Sequence, residues 1–146
     1  MIRKLTLFSV CVFEIALIFF AGIQSVSSNT FEPFENGVGI LCKIIEPKDN
    51  KEPLFFLFAE DRQSVSRLRF EKNHIRLSET LKTEISANSI SWLDREGFSN
   101  TRYQLNRSTL ELSTNPGKRA CEAMSAKSLK EKADNYLLSS MSGNKI

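Results

Sequence analysis

The stretch ISANSISWLDREGFSNTRYQLNRSTLELST, residues 85–114, decides how the chain is read. It alternates apolar and polar side chains and is cut by turn formers, the pattern of adjacent antiparallel strands. Ile90 and Trp92 share one side, as do Tyr103 and Leu105, and again Leu110 and Leu112. Residues 94–101 and Asn106-Arg107 read as the turns between them. The rest of the chain adds strands to this meander.

Upstream, residues 37–46 (GVGILCKIIE) alternate, with Ile40, Cys42 and Ile44 on the inward face. A turn is expected over residues 47–51. Residues 54–59 (LFFLFA) form a continuous apolar run, so both faces of that strand should be covered. Glu60-Asp61-Arg62-Gln63 breaks it. Residues 64–71 alternate again, and Leu68 and Phe70 are expected inward with Arg67 and Arg69 outward. Short strands follow over residues 74–78 and 81–87. Asn115-Pro116-Gly117 ends the meander, and residues 119–124, with Cys121, form a last short strand.

From residue 125 the period changes to helical. Leu129, Ala133, Tyr136 and Leu137 fall at i, i+4, i+7 and i+8, an amphipathic stripe that should pack on the sheet. Ser128 with Glu131 three residues later resembles a capping box. The expected class is mostly β: a small antiparallel β-barrel or sandwich with a C-terminal amphipathic helix. The expected parts are a leader over 1–28, a β domain over 29–124, a helix over 125–141 and a loose tail over 142–146.

The leader is read from its order of charge and apolarity. Arg3 and Lys4 precede the apolar run 5–23, and Gln24-Ser25-Val26-Ser27-Ser28 follows. A basic start, an apolar middle and small residues at the end make a secretory signal peptide, cut after Ser27 or Ser28. The rival is an uncleaved anchor over residues 5–23, a length that can span a bilayer. Glu14 near its middle weakens that rival, because a buried carboxylate there costs about 2.5–3.5 kcal/mol. Phe8-Ser9-Val10-Cys11 does not suit a lipoprotein, because Val10 stands where a small residue should precede Cys11. The expectation is therefore export to the periplasm or the exterior.

The 146 residues, 41% hydrophobic and 25% charged, are ordinary for one globular domain. The net charge is +3, and loss of Arg3, Lys4 and Glu14 with the leader lowers it by one, to +2. That is too little to argue for a nucleic-acid partner. Cys42 and Cys121 remain after the leader, and an even count in an exported chain favours a disulfide between them. The alternative is two buried free thiols. If the first and last strands are neighbours, the bond staples their closure.

The chain has no phosphate-binding loop, no Gly-x-Ser-x-Gly and no His-Glu-x-x-His; Gly37-Val38-Gly39 stands alone. Two distant cysteines and one histidine lack zinc-ligand spacing, so no metal or cofactor is expected. Any Ser-His or Cys-His pair would have to use His74, which reads as an exposed strand residue. Glu60-Asp61 and Asp94-Arg95-Glu96 are acidic turn segments rather than facing carboxyls. Trp92 beside Asp94 is a candidate ligand surface, weighed against Trp92 as core. Arg67, Arg69, Lys72 and Arg76 form the densest positive cluster and a candidate anion-binding face, weighed against a solvated strand face that discourages edge pairing. Asn106-Arg107-Ser108 is a glycosylation sequon, with meaning only in a eukaryotic secretory path.

The pattern Ile90-Ser91-Trp92, then Tyr103-x-Leu-Asn-Arg-x-Thr-Leu-Glu-Leu112, then Cys121-Glu122, resembles small uncharacterised exported β-rich proteins of bacteria. That resemblance implies no activity. It makes Arg107 and Thr109 recurring residues whose role is turn geometry and hydrogen bonding. The leading expectation is a non-catalytic binding, inhibitory or structural protein, with an envelope component or anionic surface as partner. A second is a carrier of a small apolar ligand, with Phe55, Phe56, Phe58, Phe70 and Trp92 lining a barrel cavity. The third is a hydrolase using Asp94 or Glu96.

Overall fold

The computed structural model describes residues 34–46, 52–96, 99–115 and 117–143. The leader and its cysteine, the lead-in with Phe31, the turn over 47–51 and residues 144–146 lie outside the described residues. Nine strands and a helix follow in order: β1 (Val38–Glu46), β2 (Leu54–Phe58), β3 (Ser64–Glu71), β4 (His74–Leu77), β5 (Leu81–Ile85), β6 (Ser89–Glu96), β7 (Ser99–Asn106), β8 (Glu111–Thr114), β9 (Gly117–Ser125) and α1 (Ala126–Gly143). Each strand pairs antiparallel with the next, except that β5 joins β3 across β4, and β9 returns to β1. Eight strands thus close a barrel, and β4 extends β3 beside it.

The barrel is closed where the sequence suggested. Cys42 and Cys121 stand opposite each other on β1 and β9 with Cα atoms 4.0 Å apart, and they are bonded. Cys42 is wholly buried.

Two apolar environments explain the strand faces. Inside the barrel lie Ile40, Leu54, Phe56, Phe58, Val65, Ile90, Trp92, Tyr103, Leu105 and Leu112. Trp92 and Tyr103, paired across β6 and β7, stack at 5.4 Å, and Phe56 meets both edge-on. An eight-stranded barrel is just wide enough for side chains to fill, and this aromatic layer fills its middle. Outside, α1 lies over β1 to β4 and seals Phe34, Leu41, Phe55, Leu57 and Leu68 against Ala126, Leu129 and Ala133. β2 is buried on both faces for this reason.

This second environment corrects two expectations. Leu68 and Phe70 belong to the layer beneath α1, where Phe70 meets Phe55 and Tyr136. Opposed residues of an antiparallel pair share a face. Val65 faces Phe58 and Arg67 faces Phe56, so Arg67 and Arg69 lie on the barrel side. Phe55 and Phe70 therefore line no barrel cavity. Alternation shows which residues share a face; the helix determined which face became the outside.

Two boundaries differ as well. Residues 94–96 and 99–101 are strand, with Asp94 opposite Thr101 and Arg95 opposite Asn100. The helix is capped by Ser125, whose Oγ accepts the Ser128 backbone N–H at 3.1 Å, so Ser128 sits inside the first turn. β9 thus runs into α1 without a linker.

Gly39 sets how closely α1 sits. A Cβ there would lie 2.5 Å from Leu129 Cβ and 3.1 Å from its Cγ and Cδ2. Gly39→Ala is expected to cost about 1–3 kcal/mol by overpacking. Urea unfolding of the single and double variants checks this. Adding Leu129→Ala should not relieve the clash, because alanine keeps the offending Cβ.

Candidate functional site

A break in the barrel wall begins with one extra residue. Across β3, Leu68 faces Leu77 and Val65 faces Leu81, so three steps on β3 are matched by four on the opposing segment. A β-bulge over residues 78–80 takes up the difference and bends the strand. It is held by side chains that suit the task. Ser78 N–H donates to Arg67 O at 2.8 Å, Arg67 N–H donates to Ser78 Oγ at 2.9 Å, and the hydroxyls of Ser66 and Thr80 share a bond of 3.1 Å. Ser66 is buried, and Thr80 satisfies it.

The bend divides the two halves of that segment. β5 stays with β6 over Thr83 to Ile85, while β4 swings away with β3. Among the described residues, β4 pairs only with β3, and β6 from Leu93 onward pairs only with β7. Between these two edges lies a cleft of about 740 Å³. Its floor carries Leu81, Trp92 and Asp94. Arg69 and Arg76 stand on one side, and Lys82, Arg95 and Arg102 on the other, with Glu79 and Glu84 between them. Five cations therefore meet three carboxylates.

The pairings decide which charges are open. Arg69 donates to Asp94 at 3.3 Å, half-buried, and Arg102 lies 3.5 Å from Glu84. Arg76 lies 2.5 Å from Glu71, and its hydrogen bond, with His74 beside it, holds that carboxyl below its ordinary value. Lys82 and Arg95 form no ion pair among the described residues. Beneath the cleft, burial pushes the Tyr103 phenol up, and Arg67, Asp94, Arg69 and Arg119 act on it electrostatically. The indole N–H of buried Trp92 has no acceptor among the described residues.

Sequence-expected residues are thus only partly brought together. Arg69, Arg76, Trp92 and Asp94 line the cleft, whereas Lys72 sits in the β3–β4 turn and Arg67 faces the barrel interior. Trp92 is also core, stacked on Tyr103. Lys82, Arg95 and Arg102 were missed, because they are isolated in sequence; Ser78-Glu79-Thr80, polar between two strand runs, was the available signal. His74 is exposed and bound to Glu71 at 2.9 Å and Asn73 at 3.2 Å. Both remaining cysteines are bonded to each other. Among the described residues, no group of three or more His, Cys, Asp or Glu is placed to hold a metal.

A second cavity, about 290 Å³, opens at the other end of the barrel. There the turns over 59–63, 86–88 and 107–110 form an upper rim. No helix among the described residues is long and apolar enough to cross a membrane. Comparison with models of protein families, with curated proteins and with solved structures gives no match for this chain.

Proposed function

We propose that this chain is an exported, non-catalytic binding module that takes an extended acidic segment of a partner into the cleft between β4 and β6. The bulge-opened cleft carries the reading. It presents two strand edges whose outer backbone groups are unpaired among the described residues, and such edges accept an added strand. Lys82 and Arg95 supply positive charge for acidic side chains. Export is supported by the basic and apolar order of residues 3–28 and by the Cys42–Cys121 bond, which belongs to oxidising compartments. The hydrolase reading is less favoured: Asp94 is engaged by Arg69 and Glu84 by Arg102, whereas a glycosidase needs one of two facing carboxyls to donate a proton.

The test is fluorescence anisotropy with a labelled eight-residue peptide of alternating Glu and Val. It should bind at low salt and weaken as salt screens the exposed charges. The charge reversals Lys82→Glu and Arg95→Glu together should weaken it by at least about tenfold. Backbone N-methylation of alternate residues should abolish binding, because it removes the donors an added strand uses. No binding at low salt, or equal binding by the methylated peptide, overturns the reading. Retention of heparin but not the peptide would replace it with a glycan partner.

A further inference from the structure

The cavity at the upper rim has different chemistry from the cleft. Its wall is Val38, Ile40, Phe58, Ile90 and Leu105, with Leu110 and Ala123 at the edge. Arg62 and Arg107 line it too, and no carboxylate among the described residues does. The structure assigns this well to a single medium-chain amphiphile with an anionic head: the alkyl chain in the barrel mouth and a carboxylate between Arg62 and Arg107.

Three observations carry the assignment. First, the charge is one-signed over an apolar hole, so a ligand must bring both an alkyl surface and a negative group. Glu60 and Asp61 share the turn with Arg62, but both are exposed, line no part of the well, and Asp61 is engaged by the Gln63 N–H at 2.9 Å. Second, the rim is preorganised. Arg107 donates through one amino group to the carbonyls of Ser86 and Ala87 at 3.0 and 3.2 Å, which fixes the guanidinium and leaves its other donors. Arg62 is held in the left-handed backbone region at φ 59°, with its carbonyl accepting the Thr83 hydroxyl. A fixed guanidinium such as that of Arg107 loses less freedom when it binds. Third, the well is blind. Phe58 of its wall meets Trp92 edge-on at 5.3 Å, and the Phe56, Trp92 and Tyr103 layer fills the barrel beyond. At about 30 Å³ for a water-sized group, 290 Å³ holds roughly ten carbons. A longer acyl chain would leave its remainder outside the mouth.

Isothermal titration calorimetry of the purified, disulfide-bonded protein tests this, with decanoate as the probe. Decanoate should bind one to one. Decanol should bind about tenfold more weakly or worse, because a charge-assisted bond is lost, and acetate should give no heat. Arg62→Gln should weaken decanoate by a similar factor of about ten. Ala123→Phe should abolish binding by filling the mouth; Ala123 is exposed, and a melting curve confirms that this variant folds. Absence of decanoate binding overturns the assignment. So does equal affinity for decanol and decanoate, unchanged affinity in Ala123→Phe, or binding only to phosphatidylglycerol vesicles.

Discussion

Replacing both Cys42 and Cys121 by alanine lowers the stability of the domain by about 4 kcal/mol, the loop-closure term for a bond spanning 79 residues. For a domain of this size that shifts the melting temperature down by roughly 15 °C. The pair is placed to matter. It joins the first and last strands of the ring, and the β1–β9 ladder runs from Val38 opposite Ser125 to Glu46 opposite Lys118. Cys42 is also wholly enclosed, so truncation adds a small cavity term. Calorimetry of the oxidised protein, the reduced protein and the double variant separates the contributions. If the reduced protein and the alanine variant melt together, the crosslink is the whole effect; a further drop in the variant measures the packing of the sulfur atoms. A shift below about 3 °C, set beside the 15 °C scale, would show that the ladder alone holds the ring shut.

Phe56→Ala is expected to cost about 3–5 kcal/mol. Phe56 is 1% exposed at the centre of the barrel, with ring centroids 5.1 Å from Trp92 and 5.2 Å from Tyr103, both edge-on. Such pairs add about 0.5–1.5 kcal/mol beyond burial. Against a total stability of about 5–15 kcal/mol, one truncation removes a large share. Trp92 is the only tryptophan in the chain and reports directly on the hole through its emission. Urea unfolding gives the energy, and Phe56→Leu should cost clearly less because it keeps most of the volume. A loss below about 1 kcal/mol, well under the range for buried aromatics, would mean that the middle of the barrel is not filled as described.

The two-residue rhythm of residues 85–114 and the apolar run of β2 were enough for an antiparallel β domain, and they placed Cys42 on the inner face. The change to helical spacing at residue 125 announced α1. What alternation could not supply was the sign of each face. Leu68 and Phe70 read as barrel core because nothing local says that a helix about sixty residues downstream will cover the opposite side. The bulge over residues 78–80 was hidden for a related reason: a single extra residue leaves two short strand patterns intact and only changes how they sit. The cleft depends on that residue, so its far wall of Lys82, Arg95 and Arg102 could not be assembled from neighbours in sequence. Asp94 reads as a turn acid because Asp, Glu and Gly cluster there, whereas the ladder of β6 and β7 runs through it with Arg69 as its partner.

The seam between β1 and β9 also bears on synthesis. A cylinder sealed by its first and last staves cannot form while the chain is still emerging; Ser125 must be out before Val38 has its partner. Pairings this distant in sequence are slow to assemble. Until the last stave is out, the early ones can form no more than an open ribbon, and the ring waits on the end of the chain.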